Sequence, residues 1–143
     1  MYADGSAASG IVGTDTVNIG GATATKQAVE LATAVTSEFI IDTANGGLVG
    51  LAFSQLNNVR PQQQMTFFDT IMPQLAMPVF SVNLKNDSTG TYEFGAIDNT
   101  QYTGQLTAVP VQPGGFWQVA SPTFIVGDAA VVNQGGSPAI AGA

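Results

Sequence analysis

Val17-Asn18-Ile19-Gly20-Gly21-Ala22-Thr23-Ala24-Thr25-Lys26-Gln27-Ala28-Val29-Glu30-Leu31-Ala32-Thr33-Ala34-Val35 is the stretch on which the fold depends. Val29, Leu31, Thr33 and Val35 alternate with smaller or polar neighbours, the period of a strand with one apolar face. Gly20-Gly21 marks a turn, and Val17 and Ile19 stand just ahead of it, so the spacing predicts a hairpin.

The same signal recurs downstream. Phe80, Val82 and Leu84 alternate, the polar turn Asn86 to Gly90 follows, and Tyr92, Phe94 and Ala96 alternate again, which predicts a second hairpin. Leu48-Val49-Gly50-Leu51-Ala52-Phe53 is a continuous apolar run behind Gly46-Gly47 and reads as a buried strand and turn. Further strands are expected at Leu106 to Val111, Phe116 to Val119 and Phe124 to Val126. One helix stands out among them. Met65, Phe68, Ile71, Met72 and Leu75 recur at helical spacing, Thr66 caps them with Asp69 three residues on, and Pro73 limits the length. The expected class is all-β with one short helix, and a soft boundary falls near Tyr102-Thr103-Gly104.

Composition agrees and excludes several functions. The 143 residues suit one domain; 45% are hydrophobic, 9% charged, and seventeen are glycine. That balance belongs to a globular chain, not a disordered one. Lys26, Arg60 and Lys85 are the whole cationic complement against a net charge of −7. Three scattered cations cannot neutralise a phosphate backbone or an anionic bilayer, so neither nucleic acid nor membrane is expected as a partner. Cysteine and histidine are absent, which removes thiol nucleophiles, disulfides, zinc-finger sites and every Ser-His or Cys-His pair. No apolar run approaches a bilayer span, and Met1 to Ser6 is no signal peptide. Both ends read as interrupted chain. Asn86-Asp87-Ser88 matches the N-glycosylation acceptor pattern, which a polar turn also produces by chance.

Catalysis would then fall to carboxylates. Two acids held close cannot both ionise, so one serves as acid and the other as base. The chain has Asp15-Thr16, Asp42-Thr43 and Asp69-Thr70, followed by Val17, Ala44 and Ile71, with no glycine after any of them. Each has a structural explanation: Asp15 on a hairpin surface, Asp42 before a turn, Asp69 in a helix cap. No metal-ligand spacing, EF-hand or phosphate loop is present. Read from the residues alone, this is a β-rich binding or structural module without a visible active site.

Six segments, in order, nevertheless resemble the pepsin-like aspartic peptidases, the fungal branch most closely. Tyr2-Ala3-Asp4-Gly5-Ser6 looks like the active-site flap, and Gly13-Thr14-Asp15-Thr16-Val17 with Ile19-Gly20-Gly21 looks like the strands after it. Asp42 to Phe53 resembles the Asp-Gly-Ile/Leu-Leu-Gly-Leu-Ala segment, and Phe67-Phe68-Asp69-Thr70-Ile71 the helix that follows. Phe94-Gly95-Ala96-Ile97-Asp98 with Tyr102-Thr103-Gly104, and Gly115-Phe116-Trp117-Gln118, complete the set.

The resemblance implies an incomplete bilobal fold. Residues 1–104 would be part of the first lobe and residues 105–143 the start of the second. It implies hydrolysis of internal peptide bonds in a complete enzyme, with no metal and no cofactor. Tyr2 would close over substrate, Asp4 and Gly5 would hydrogen-bond its backbone, and Phe39 and Leu48 would line the apolar pocket beside the scissile bond. Ala3 and Gly46 depart from the family pattern. Phe116 would reach the leaving-group side, and Trp117 would be core. The resemblance starts at the flap, past the family's first Asp-Thr-Gly, and Gly142 stands where the second catalytic aspartate belongs, so no catalytic residue is assigned and the chain is expected to be inactive alone. The alternative is a non-catalytic pepsin-like binding protein. Also implied are a peptide or protein substrate for the complete enzyme, a secreted or vacuolar location, and self-association through strand edges left open.

Overall fold

The computed structural model describes residue 2, residues 4–132 and the backbone of residues 139–140. The first hairpin is the largest element: β1 (Ala8–Ile19) pairs antiparallel with β2 (Ala22–Val35). Gly20 and Gly21 take φ of 60° and 91°, the positive pair that a two-residue hairpin turn demands. The expected turn and strand are therefore present, and two irregularities shape them. Between Asp15 and Val17 the register slips, so that Asp15 faces Gln27 while Val17 faces Ala24. This bulge turns both Ala24 and Gln27 toward the interior although their spacing is odd. A second slip lies between Ser9 and Gly10.

A five-residue helix, α1 (Ser37–Ile41), follows the hairpin. It is too short to leave a periodic trace, and the sequence reading missed it. The predicted helix is α2 (Phe67–Ile71), continued by a 3-10 turn at Met72–Gln74 that carries Pro73. Thr66 caps it as expected: its hydroxyl accepts from the Asp69 N–H at 3.1 Å. The reciprocal half of the capping box is not made by Asp69. The Thr66 N–H donates to Ser54 Oγ at 2.9 Å, and that hydroxyl donates in turn to the Asp69 carboxylate. Serine thus fills the gap that an aspartate side chain, shorter than glutamate, leaves open.

The second hairpin also forms as read, β3 (Phe80–Asn83) against β4 (Thr91–Phe94). Beyond it lie β5 (Gln118–Val119), β6 (Thr123–Val126), β7 (Ala129–Val132) and β8 (Ala139–Ile140), with β6 paired to β7 and β5 to β8. Among the described residues the strands make four separate two-stranded sheets.

Two expected strands are corrected. Residues 48–53 form no strand, and Leu48 and Val49 are exposed. Residues 106–111 contribute a single bridge, Val111 to Val119. An apolar run becomes a buried strand only where a neighbouring strand pairs along it and a face covers it, and here the described residues supply only isolated contacts, the Val111–Val119 bridge and the hydrogen bond from the Phe53 N–H to the Gly115 carbonyl. Phe116 and Trp117, expected in a strand, lie just before β5.

The core is small. Ala24, Phe67 and Ile71 are buried together, with Val17, Ile19, Ala22, Leu75 and Phe94 packed around them. Phe68 joins through Phe80, edge-on at 4.9 Å, and Trp117 packs between Phe80 and Phe53 at 5.3 Å and 4.6 Å. The Trp117 indole donates to the Leu51 carbonyl at 2.6 Å, which ties the irregular 48–53 run to the loop before β5.

Gly115 makes that docking possible. Its φ is +86°, and a Cβ there would lie 2.6 Å from Gln55 Nε2 and 2.9 Å from Leu56 Cγ. Its carbonyl accepts from the Phe53 N–H at 3.0 Å. Gly115→Ala is expected to cost more than about 1 kcal/mol, because alanine is strained at positive φ. The release of Trp117, the sole tryptophan, would appear as a red shift of its fluorescence.

The accessible surface is 10685 Å², whereas a compact monomer of this mass exposes about 6,900 Å². Large apolar side chains share in that exposure. The hairpin face that turns Gln27 toward the Met65 carbonyl runs on through Val29 to Leu31 and Ile11, which are 55% and 64% exposed. No helix among the described residues is long and apolar enough to cross a membrane.

Candidate substrate-binding flap

A tight turn precedes β1. The Tyr2 N–H donates to the Ser6 carbonyl at 2.8 Å, and the Gly5 N–H donates to the Tyr2 carbonyl at 3.1 Å. Asp4 locks the turn from its side chain: Oδ1 accepts from the Ser6 N–H at 2.9 Å and the Ser6 hydroxyl at 2.7 Å. This is the local geometry for which aspartate two residues before a hydroxyl is suited. Ser6 is buried.

The turn is held against α1 by Thr36. Its N–H donates to the Ala7 carbonyl at 3.0 Å, and its hydroxyl accepts from the Ala7 N–H at 3.3 Å. That clamp brings the Tyr2 ring edge-on to Phe39, with centroids 5.5 Å apart and planes at 63°. Such an aromatic pair contributes about 0.5–1.5 kcal/mol beyond its buried area. Tyr2 remains 44% exposed, so the pair is a half-open apolar ledge.

Of the residues singled out from sequence, Tyr2, Asp4, Gly5 and Phe39 therefore meet at one end of the long hairpin. Leu48 stands apart in the chain, exposed in the irregular segment after Asn45. Ala3, Gly142 and the segment 141–143 lie outside the described residues. Ser6 and Thr36 were missed. Ser6 was legible from Asp4-Gly5-Ser6 as an Asx-type turn, whereas Thr36 gains its role only from being opposite Ala7.

Two carboxylates flank the ledge. The Ser6 hydroxyl, helped by the Ser6 N–H, holds Asp4 below its ordinary value. The Thr36 hydroxyl, helped by the Glu38 N–H, does the same for Glu38, against an opposing push from the Asp4 charge. Both shifts favour the ionised form, the reverse of a pair in which one carboxyl is pushed up to keep its proton. Among the described residues, no three metal-ligating side chains cluster.

The lowered Asp4 value has a consequence for acid solutions. A depressed carboxylate stabilises the fold above its unfolded value, about pH 4, and that contribution is lost as pH falls through the lower folded value. The turn before β1 is therefore expected to survive moderate acid. Ser6→Ala removes the main cause, so Asp4 should titrate closer to the ordinary value and the turn should open at higher pH. Carboxyl chemical shifts followed by NMR against pH read both.

The eukaryotic aspartyl protease family matches this sequence over residues 1–143. The chain belongs to that family. Among the relatives of this aspartyl protease chain is an aspergillopepsin A-like aspartic endopeptidase of Aspergillus fumigatus, 55% identical over 128 residues, which are 89% of this chain and 30% of that protein. Penicillopepsin-1 of Talaromyces stipitatus is 51% identical over 127 residues, 88% of this chain and 33% of the relative. Aspergillopepsin-1 of Aspergillus fumigatus is 50% identical over 131 residues, 91% and 33% of the two chains. The aspartyl protease chain thus spans about a third of the length of these relatives.

Proposed function

We propose that this chain is the flap-bearing segment of a pepsin-like aspartic endopeptidase and does not hydrolyse peptides by itself. The observation that carries the reading is the Tyr2–Phe39 ledge clamped beside the Asp4 turn, at the end of a long hairpin, in a chain of this family. Residues 1–104 contribute part of the first lobe and residues 105–143 begin the second. In the complete enzyme, Tyr2 covers an extended peptide or protein substrate, Phe39 and Leu48 form the apolar wall for the side chain beside the scissile bond, and Phe116 reaches the leaving-group side. Asp4 and Gly5 meet the substrate backbone with whatever polar atoms the turn leaves open.

The reaction needs a carboxyl and a carboxylate sharing one water. The sequence has no Asp-Thr-Gly, and the two acids at the flap are both driven toward ionisation. Binding groups without an acid–base pair do not restore that chemistry. The uncovered hairpin face supports two further parts of the reading: the rest of the enzyme covers it in the complete protein, and the isolated chain self-associates through it. The family also supports export from the cell.

The test is a purified chain incubated with acid-denatured protein from pH 3 to 6, with and without pepstatin, beside a complete homologous enzyme. No pepstatin-sensitive cleavage is expected from the chain. Sensitive cleavage that co-purifies with it overturns the reading.

A further inference from the structure

We infer that Asn86 is an N-glycan attachment site, a role that neither the peptide cleft nor the core requires of it. Asn86-Asp87-Ser88 is the sole Asn-x-Ser/Thr sequence in the chain. The structure puts it at the tip of the connection between β3 and β4. The register closes at Asn83 opposite Thr91, and residues 84–90 loop out beyond it. The base is anchored: the Asn83 side-chain amide donates to Gln101 Oε1 at 2.8 Å. The tip is not. Residues 86–88 form successive bends, every residue from 84 to 89 is exposed, and Asn86 makes no hydrogen bond to any described residue.

That combination is what the modification needs. The acceptor amide must be free, the hydroxyl two residues on must be able to approach it, and the chain between them must bend. A polar turn that served only the fold would use its Asn or Ser to bond the backbone two residues away, as Asp98 does for Thr100 at 2.8 Å. Asn86 and Ser88 do no such work. In the transfer, Asn86 Nδ2 attacks the anomeric carbon of a lipid-pyrophosphate-linked oligosaccharide. The C–N bond forms, the sugar–oxygen bond to phosphate breaks, the lipid pyrophosphate leaves and Nδ2 gives up one proton. The glycan would stand beside Leu84, Val82 and Tyr92, which are 66%, 46% and 53% exposed, and would cover an apolar end of the second hairpin with a hydrated group.

The inference rests on the part of the proposed function that sends the protein through the secretory route, so its test is made independent of catalysis and of natural export. The full chain is fused behind a signal leader and translated with microsomes, and only the fraction protected from added protease is scored. A single mobility step removed by endoglycosidase is expected, lost in Asn86→Gln and in Ser88→Ala and kept in Ser88→Thr. A protected wild-type chain without the step overturns the site, as does a step that persists in Asn86→Gln. Neither result bears on whether the chain cleaves peptides.

Discussion

Ile71→Ala is expected to abolish cooperative unfolding of this chain. Ile71 is 1% exposed and is the largest fully buried side chain among the described residues. It sits where α2 meets the turn end of the long hairpin, against Phe67, Ala24 and the ring of Val17, Ile19, Ala22, Leu75 and Phe94. Truncating such an isoleucine costs about 2–5 kcal/mol, the loss of transfer free energy plus that of the cavity left behind. Single domains have only about 5–15 kcal/mol in hand. With Ala24, Phe67, Phe68 and Ile71 as the buried apolar residues described, this one belongs at the bottom of that range. The variant should therefore lose its denaturant transition as read by Trp117 fluorescence and near-ultraviolet dichroism. Ile41→Ala, at a site 79% exposed, should stay within about 0.5 kcal/mol of the parent. A sharp transition in Ile71→Ala with an unchanged midpoint would show that the core lies elsewhere.

The same residues show what could be read in advance. Both hairpins were legible because each has its turn signal and its partner strand within a few residues, and the α2 cap was legible because it is local. Leu48 to Phe53 and Leu106 to Val111 were misread for one physical reason. Their apolar content says that they are suited to burial, but burial needs a strand paired along their length, and the described residues supply only the Val111–Val119 bridge and the Phe53–Gly115 hydrogen bond. The turn before β1 was half legible. Asp4 and Ser6 bond across two residues, so their turn is written locally, while the Thr36 clamp and the Tyr2–Phe39 contact join residues far apart in sequence. The Ser54 bridge between Thr66 and Asp69 is of the second kind. Family resemblance put Tyr2 and Phe39 beside one substrate, but it gave neither Thr36 nor Ser54 a part.

The open face of the long hairpin leads to the other large effect. At micromolar concentration the purified chain should sediment as a dimer or larger. Its 10685 Å² of surface exceeds that of a compact monomer by roughly 3,800 Å², more than the ~1,600 Å² that a standard interface buries in total. Ile11 and Leu31 are direct cross-strand partners in that open region, and both outer edges of the β1–β2 pair lack a neighbouring strand among the described residues. Pairing of edges and stacking of this face are thus both available to a second copy. The double variant Ile11→Lys, Leu31→Glu separates them from a trivial loss of fold. Opposite charges placed directly across an antiparallel pair favour the hairpin by about 0.2–1 kcal/mol, while two ionised groups on the apolar face make its burial costly. Sedimentation should return to the monomer with strand dichroism retained. If the wild-type chain already sediments as a compact monomer and melts cooperatively, the uncovered face is tolerated in water and self-association is not how the chain hides it.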